Sequence, residues 1–241
     1  MERIRSYMSD AGILLSDEQL RQLEFYYEMV VEQNKVMNLT SITEPDEFIE
    51  KHLLDSLAPL TADGGLKALL TKSGARLIDV GTGAGFPGIP LKIVCPSLSV
   101  TLLDSLRKRV DFLQNVIDTL KLKDIKAVHL RAEEGGRDPL YREQYDLVVS
   151  RAVAALSILA EYDLPFAKAG GTFIAYKAAA AEEELAQAKN AISKLGGKAD
   201  PPISLVLPDT DIQRTLIPIR KVRPTPKAYP RKPGTAKKSP L

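Results

Sequence analysis

The sequence predicts an α/β fold in which helices precede a mostly parallel sheet. Between residues 75 and 195, short apolar runs alternate with helical segments, as in parallel strands joined by crossover helices. The first strand candidate leads directly into a glycine-rich turn at 81–88. Two strand-like runs near the end have no helix between them. They predict a closing hairpin that adds an antiparallel strand to the sheet.

The first 70 residues carry helical patterns. Ser16-Asp17-Glu18-Gln19 is a capping box, in which a hydroxyl and an amide satisfy each other's free backbone donors. Apolar residues from Leu20 onward then recur at helical spacing. Pro45 is suited to the first turn of a second helix, which carries His52 on its apolar face.

Seven strands and four core helices follow from these patterns. We expect the strands at 75–80, 99–104, 125–131, 145–150, 171–176, 203–207 and 214–222, and the helices at 87–95, 106–121, 154–168 and 179–195. The sequence therefore divides into a helical extension at 1–70, an α/β core at 71–222 and a tail at 223–241. Because the tail is rich in Pro and Lys, we expect it to be extended or loosely held.

The composition excludes several classes of protein. The hydrophobic fraction of 44% is ordinary for a globular chain of 241 residues. A single cysteine, Cys95, allows neither an internal disulfide framework nor a Cys-rich zinc site. The residues after Met1 lack a signal-peptide apolar core, and no apolar run could span a bilayer. We therefore expect a cytoplasmic protein. His52 and His129 have no metal-ligand spacing, so no metal is expected.

Charge is distributed unevenly along the chain. The net charge is +2, but no acid follows Asp211, whereas nine bases do. Residues 1–211 consequently hold 24 bases against 31 acids. An acidic body with a basic end suggests a polyanionic partner such as nucleic acid, although a solvated tail would have the same composition.

The glycine turn is the most informative stretch for function. Gly81, Gly83 and Gly85 lie at every second position, where the backbone can turn tightly and approach a ligand. The G-x-G-x-x-G pattern from Gly83 also fits a dinucleotide site, and an ordinary loop of small residues is a third reading. Asp79 favours S-adenosylmethionine, because a carboxylate facing the ligand suits a cationic amino-acid tail better than a pyrophosphate.

Polar residues end the later strands. Asp104 could accept both hydroxyl protons of a ribose in either cofactor, or it could be an acid at a helix N-terminus opposite the macrodipole. Glu133, with the backbone N–H near Ala132, could read the edge of an adenine. Arg151 could hold an RNA phosphate or base, or a cofactor carboxylate. It could equally form an ion pair with Asp79 or Asp104.

Two catalytic signatures are missing. The fourth strand does not end in the Asn-Pro-Pro-Tyr that methylases of exocyclic amines use. There is also no Pro-Cys nucleophile of the kind that pyrimidine C5 methylases need. Cys95 ends the first crossover helix and is expected to pack there. No covalent mechanism is indicated.

Taken together, these residues resemble a known family. The chain is similar to the bacterial glucose-inhibited division protein B family, the ribosomal small-subunit methyltransferase G. The matching segments run in order along almost the whole chain: Asn38–Thr43, Lys51–Leu57, Asp79–Gly88, Leu103–Arg109, Ser150–Val153 and Pro230–Thr235. Each segment is weakly informative alone, but the ordered set is specific.

The resemblance implies a Rossmann-like class I methyltransferase with a seven-stranded sheet. It implies S-adenosylmethionine as cofactor, and N7 of a guanine in 16S ribosomal RNA, free or in a small-subunit particle, as methyl acceptor. The cofactor residues carried over are Gly81, Gly83, Phe86, Asp104, Ala132, Glu133 and Arg151. The expected substrate contacts are Asn38, Arg151, Lys177, Arg231 and Lys232.

One position departs from the family pattern. Where the family usually has Lys-Gly, this chain has Lys177-Ala178. If that glycine needs positive φ or a close approach to RNA, Ala178 would strain the backbone there or narrow the pocket. Guanine N7 has a lone pair and no proton, so the implied mechanism needs no general base, in agreement with the lack of a well-placed histidine. A small-molecule methyltransferase, a nicotinamide enzyme and a non-catalytic RNA-binding protein remain the alternatives.

Overall fold

The computed structural model describes residues 2–62, 65–151, 154–178 and 181–241. Its helices are α1 Glu2–Asp10, α2 Asp17–Met37, α3 Pro45–Phe48, α4 Asp55–Thr61, α5 Leu66–Leu70, α6 Gly88–Val94, α7 Arg107–Thr119, α8 Ala132–Gly135, α9 Leu156–Asp163, α10 Ala181–Lys194 and α11 Thr235–Lys238. A π-helical turn, Ile49–Leu54, joins α3 to α4. None of the helices in the described ranges is long and apolar enough to cross a membrane.

In the described part of the chain, eight strands form one sheet. They are β1 Arg76–Val80, β2 Ser99–Asp104, β3 Ile125–His129, β4 Tyr145–Arg151, β5 Ala167–Lys177, β6 Gly197–Ala199, β7 Ile203–Val206 and β8 Gln213–Lys221. The strand order is β3-β2-β1-β4-β5-β8-β6, and β7 also pairs with β8. The α/β class, the parallel core and the closing hairpin are therefore confirmed.

The sheet has one strand more than predicted. β6 is only three residues long, and its sequence Gly-Lys-Ala has no apolar alternation that could predict a strand. It pairs with β8 from Gly197↔Lys221 to Ala199↔Ile219, beside the β7 pairing. β8 runs antiparallel to β5, whereas β1 to β5 are mutually parallel.

The strand order reverses between β1 and β4. β2 and β3 lie on one side of β1, whereas β4 and β5 lie on the other. The connections after β1 and β4 therefore leave in opposite directions and open a crevice at the carboxyl ends of the strands. This topology places the glycine turn and the end of β4 at the same edge.

The N-terminal helices share a core with the sheet. The predicted capping box forms, since Ser16 Oγ accepts from Gln19 N at 3.3 Å and Gln19 Oε1 accepts from Ser16 N at 2.9 Å. Buried Leu20, Leu23 and Tyr26 belong to the same hydrophobic cluster as residues of β1 and β2. The Tyr26 hydroxyl donates to the Ala84 carbonyl at 2.8 Å, so α2 braces the glycine turn directly.

The tail is packed on the body, which differs from the expected loose segment. The Arg142 guanidinium donates to the carbonyls of Thr225 and Tyr229 at 2.7 and 2.8 Å. The buried Lys221 ammonium donates to the Thr225 hydroxyl at 2.7 Å. Composition could not reveal this, because the donors lie in the body and the acceptors are tail carbonyls and a hydroxyl.

Asp163, at the end of α9, is a buried acid without hydrogen-bond partners. It is fully buried, and neither carboxylate oxygen has a partner among the described residues. Burial raises its pKa well above the ordinary value, and the nearby Asp79 adds to the shift. The folded state therefore binds a proton on the Asp163 carboxyl group more tightly than the unfolded chain does. The stability that protonated Asp163 contributes is present below the unfolded pKa and is lost as pH rises toward the folded pKa.

Replacing Asp163 by Asn should therefore stabilise the protein at alkaline pH. We expect Asp163→Asn to raise the free energy of unfolding by about 1 kcal/mol or more at pH 8, and by much less at about pH 4. Urea denaturation at the two pH values measures the difference. The exposed Asp111→Asn on α7 is the matched control and should change little at either pH. An equal effect of Asp163→Asn at both values would contradict the assigned protonation.

Candidate cofactor cleft and its surroundings

A cleft of about 580 Å³ opens at the carboxyl ends of the parallel strands. It is lined by residues at or just beyond the carboxyl ends of β1, β2, β3 and β4 and by Arg109 of α7, together with Leu39, His52, Tyr162, Gly234 and Lys237. The structure brings all seven residues predicted to bind the cofactor to this cleft: Gly81, Gly83, Phe86, Asp104, Ala132, Glu133 and Arg151. Residues far apart in the chain thus form one site.

The glycines of the turn have different tasks. Gly83 has φ +62°, and a Cβ there would meet nothing within 4 Å, so this backbone borders open space. Gly85 has φ +110°, and its Cβ would lie 2.8 Å from Tyr26 Oη and 2.7 Å from an Ile89 side-chain carbon. Gly83 thus leaves room for a ligand, whereas Gly85 is required for packing against α2 and α6.

Asp79 lies beneath the turn and does not line the cleft. Our expectation that its carboxylate faces the ligand is therefore wrong. Its Oδ2 accepts from Thr82 Oγ1 at 2.7 Å and from Gly88 N at 2.8 Å. Burial raises its pKa to about 7, against the opposing effect of these hydrogen bonds. Asp79 holds the two ends of the turn together.

Asp104 holds the same turn from the side of the cleft. Its Oδ2 accepts from Gly83 N at 3.0 Å, and its Oδ1 accepts from Leu106 N at 2.9 Å. Only 3% of the residue is exposed, and Arg109 lies 3.5 Å from Oδ2. Since a carboxylate oxygen has two lone pairs, each oxygen retains a free acceptor site.

The tail closes the end of the cleft at Ala132 and Glu133. α8 begins at Ala132, and its second residue, Glu133, is buried. Glu133 Oε1 accepts a hydrogen bond from Gly234 N at 3.0 Å. Gly234 and Lys237 therefore form a wall of the cleft, a contribution that sequence analysis missed because it placed the tail outside the core.

Arg151 forms its ion pair with a residue that sequence analysis did not consider. Its Nη1 donates to Asp55 Oδ2 at 2.8 Å and to the Lys51 carbonyl at 2.9 Å. Arg214 Nε donates to the other oxygen of the same carboxylate, Asp55 Oδ1, at 2.8 Å. The alternative of a pair with Asp79 or Asp104 is therefore wrong. Asp55 belongs to the Lys51–Leu57 segment of the resemblance, which was the available signal.

His52 is the second residue that was missed. From the sequence, His52 was considered only as a metal ligand and no histidine was expected at the site. The structure places its ring in the cleft, stacked on Phe86 with 4.4 Å between the ring centroids. Its Nδ1 lies 3.1 Å from Arg151 Nη2, and its Nε2 lies 2.7 Å from Thr40 Oγ1. Burial and the charge of Arg151 lower its pKa to about 3, so it is a poor base at neutral pH.

Two of the expected substrate contacts, Asn38 and Lys177, do not line the cleft, and their exposure to solvent differs. Asn38 is exposed at the end of α2, with φ +49°, directly before the cleft residue Leu39. Lys177 is largely covered, because its ammonium donates to the Ala154 carbonyl at 2.7 Å and pairs with Glu184 at 2.6 Å. The neighbouring Ala178 is exposed and is not among the positive-φ residues, so no strain arises there.

The two tail residues expected to bind substrate are adjacent but unlike each other. Arg231 Nη2 donates to Glu161 Oε2 at 2.6 Å, and Arg231 N and Nε donate to Oε1 at 2.8 and 2.9 Å. Glu161 is almost fully buried. Lys232, in contrast, is exposed to solvent. Arg231 thus anchors the tail, whereas the Lys232 ammonium faces water.

Comparison with known proteins decides the family. The family model GidB, described as rRNA small subunit methyltransferase G, matches residues 19–208. The chain belongs to this family. The protein named ribosomal RNA small subunit methyltransferase G of Lachnoclostridium phytofermentans is 52% identical over 230 residues, covering 95% of this chain and 93% of the relative. Its namesake in Leuconostoc citreum is 48% identical over 241 residues, 100% of this chain and 99% of that protein.

Solved structures agree on the fold. A SAM-dependent methyltransferase from Aquifex aeolicus superposes with a TM-score of 0.52 at 18% identity, covering 76% of this chain and 96% of that one. A precorrin-6y C5,15-methyltransferase from Geobacter metallireducens gives 0.50 at 13% identity, covering 69% and 87%. These structures confirm the predicted Rossmann-like fold. Membership of the family confirms the rRNA methyltransferase class and, with it, S-adenosylmethionine as cofactor.

The residues present fit this cofactor. The open space at Gly83 admits a ligand against bare backbone, and the free lone pairs of Asp104 suit a ribose diol. Glu133, which also lines the cleft, offers a further carboxylate acceptor. Within the described ranges, no group of three His, Cys, Asp or Glu residues could hold a metal ion.

The contrast between Arg231 and Lys232 gives a direct test of the anchor. Arg231→Ala leaves the buried Glu161 without its charge partner, and we expect it to lower the free energy of unfolding by about 3 kcal/mol. Lys232→Ala, one position further and exposed, should change stability by less than about 0.5 kcal/mol. Chemical denaturation of the two variants measures both. Equal stability of the two would contradict the anchoring role of Arg231.

Proposed function

We propose that this protein transfers a methyl group from S-adenosylmethionine to N7 of a guanine in 16S ribosomal RNA. The observation that carries the proposal is one cleft that joins a nucleoside-sized site to an end formed by Phe86, His52 and Arg151. At that end the one histidine is held between two hydrogen-bond partners and is not available as a base.

At one end of the cleft, side chains suit an adenosyl group. Asp104 would accept from the ribose hydroxyls while it keeps the Gly83 N–H fixed. Glu133 and the backbone at Ala132 would bind the adenine edge, with Gly234 holding the Glu133 carboxylate in place. Gly81 and Gly83 would let the backbone lie against the cofactor. When bound, S-adenosylmethionine supplies the electrophilic methyl group.

The other end suits an acceptor that carries no proton. Guanine N7 has an in-plane lone pair, so the protein need only orient it, and orientation alone can supply much of the rate enhancement. Asp55 and the Lys51 carbonyl both hold Nη1 of Arg151, so one side of its guanidinium is anchored. It would position the target nucleotide or the cofactor carboxylate. The Phe86 ring lies 5.0 Å from that guanidinium and would bound the space for the base.

Exposed cations at the rim suit the RNA backbone. S-adenosylmethionine carries no phosphate, whereas Arg131 and Lys237 line its cleft and Lys232 lies close by in the tail. We therefore propose that these cations, with Asn38 next to the cleft residue Leu39, contact the ribosomal RNA or the small-subunit particle. Lys177 and Arg231 would act mainly by holding their own segments in place.

The three predicted parts of the chain take complementary roles in this proposal. The extension at 1–70 supplies Asp55, His52 and Leu39 to the reactive end, and the core at 71–222 supplies the glycine turn and Asp104. The tail at 223–241 closes the adenine end and adds exposed cations. We also propose that the protein acts in the cytoplasm.

Methyl transfer tests the proposal. The purified protein, labelled S-adenosylmethionine and small-subunit RNA from cells that lack this protein should give label in the RNA. Mapping should find it at N7 of one guanine. Label on another atom of the RNA would contradict the proposed acceptor. So would methyl transfer to a small molecule that continues after the RNA has been digested.

Asp104 should be required for cofactor affinity. Asp104→Ala removes the carboxylate that accepts from a ribose and holds Gly83, so we expect S-adenosylhomocysteine to bind at least about 10-fold more weakly by calorimetry. The exposed Asp118→Ala on α7 serves as the control and should bind as the wild type does. Unchanged affinity in the Asp104 variant would rule out the ribose role.

A further inference from the structure

We propose that His52 is a positioning residue, which fixes the guanidinium of Arg151 for methyl transfer and links it to the turn at residues 38–42. This inference rests on the proposed function for its kinetic consequence, but not for its geometry. It assigns to the N-terminal extension a part in aligning the reaction.

The contacts form a continuous chain from the turn to the cleft. Arg151 Nη2 lies 3.1 Å from His52 Nδ1, and His52 Nε2 lies 2.7 Å from Thr40 Oγ1. Thr40 Oγ1 also accepts from Ile42 N at 3.0 Å, and Thr40 N donates to Asn34 Oδ1 at 2.9 Å. Thus the imidazole lies between the end of α2 and the end of β4.

Donor chemistry determines the tautomer of His52. A guanidinium has only N–H donors, so Nδ1 must be the acceptor in its contact with Arg151. The proton of a neutral ring then lies on Nε2 and points at Thr40 Oγ1. That oxygen has two lone pairs, one for Nε2–H and one for the Ile42 N–H. In this tautomer each of the three contacts has one donor and one acceptor, whereas an Nδ1–H proton would face the Arg151 N–H donors.

The ring is also held by packing. It stacks on Phe86 with an interplanar angle of 15° and meets Phe48 edge to face at 5.1 Å between centroids. Four contacts therefore fix its plane: two hydrogen bonds and two contacts with aromatic rings. A ring so constrained can transmit a displacement of Thr40 to Arg151, because it has no freedom to absorb the change.

The charges around the ring keep it neutral. Arg151 faces Nδ1, and the Asp55 carboxylate beyond it is shared with Arg214. Burial and the positive charge of Arg151 lower the pKa of His52 to about 3. Protonation would place a donor against the Arg151 N–H groups and break the contact. The positioning role is therefore constant across the neutral pH range, unlike that of a catalytic base, whose effect would titrate.

Two substitutions separate positioning from packing. His52→Phe keeps a ring against Phe86 but cannot accept from Arg151. We expect it to lower kcat about 10- to 100-fold, with KM for RNA changed less than about 3-fold. His52→Asn offers an amide oxygen near the position of Nδ1 and should recover most of the lost kcat. Glu50→Gln, on the same helical turn but directed toward Tyr7, is the control and should behave as the wild type does.

A spectroscopic measurement tests the geometry without any reaction. The sequence has two histidines, and the exposed His129 provides the reference signal in the same spectrum. In ¹⁵N NMR we expect His52 to show the Nε2–H tautomer without titrating between about pH 5 and pH 9. Appearance of the Nδ1–H tautomer, or a protonation step in that range, would overturn the inference even if His52→Phe failed to fold.

The kinetic and spectroscopic outcomes also separate the two proposals. If the wild type does not methylate RNA, the proposed function fails, whereas the tautomer measurement still decides the geometry. If the wild type is active and His52→Phe and His52→Asn lose the same activity, or neither loses any, the positioning role is wrong.

Discussion

Two buried carboxylates hold the glycine turn, and the site depends on them. Asp79 lies under the turn and accepts from Thr82 and Gly88, whereas Asp104 lies beside it and accepts from Gly83. Glycines make such a turn possible but do not fix its shape, because they allow many conformations. The shape comes from these acceptors, each of which would be costly to leave without a donor. A cleft of defined width results.

The reactive end of the cleft depends on a third buried carboxylate, that of Asp55. Asp55 is shared by Arg151 and Arg214, which reach it from β4 and β8. The carboxylate itself comes from the N-terminal extension. Taking these charges out of water is unfavourable, so the arrangement contributes more to orientation than to stability. The extension is therefore part of the site and shares the hydrophobic core of the sheet.

The sequence predicted what is local and missed what is distant. Gly83 could be placed because it lies just beyond a strand candidate, and Asp104 because it ends the next one. Parallel strands bring their carboxyl ends together. The Arg151–Asp55 pair joins residues 96 positions apart, and no periodicity in the chain indicates it. His52 was passed over because metal spacing was the only role considered. Asp79 was misplaced because residues of one strand face opposite sides, and the pattern did not say which.

The tail shows the same limit in another form. Its composition resembles that of a loosely held segment, and proline and lysine do not form a core. Side chains from the body hold the tail. Arg142 donates to a tail carbonyl, and the buried Glu161 accepts from the backbone N–H and the guanidinium of Arg231. Such anchoring depends on residues outside the segment, so only the folded structure reveals it.

Hydrogen–deuterium exchange with and without S-adenosylhomocysteine tests the central claim most directly. If the turn held by Asp79 and Asp104 is the cofactor site, the ligand should slow exchange of the amides in three separate segments, at 81–86, at 104–106 and at 132–134. Protection confined to one segment, or its absence at 81–86 at saturating ligand, would contradict the account.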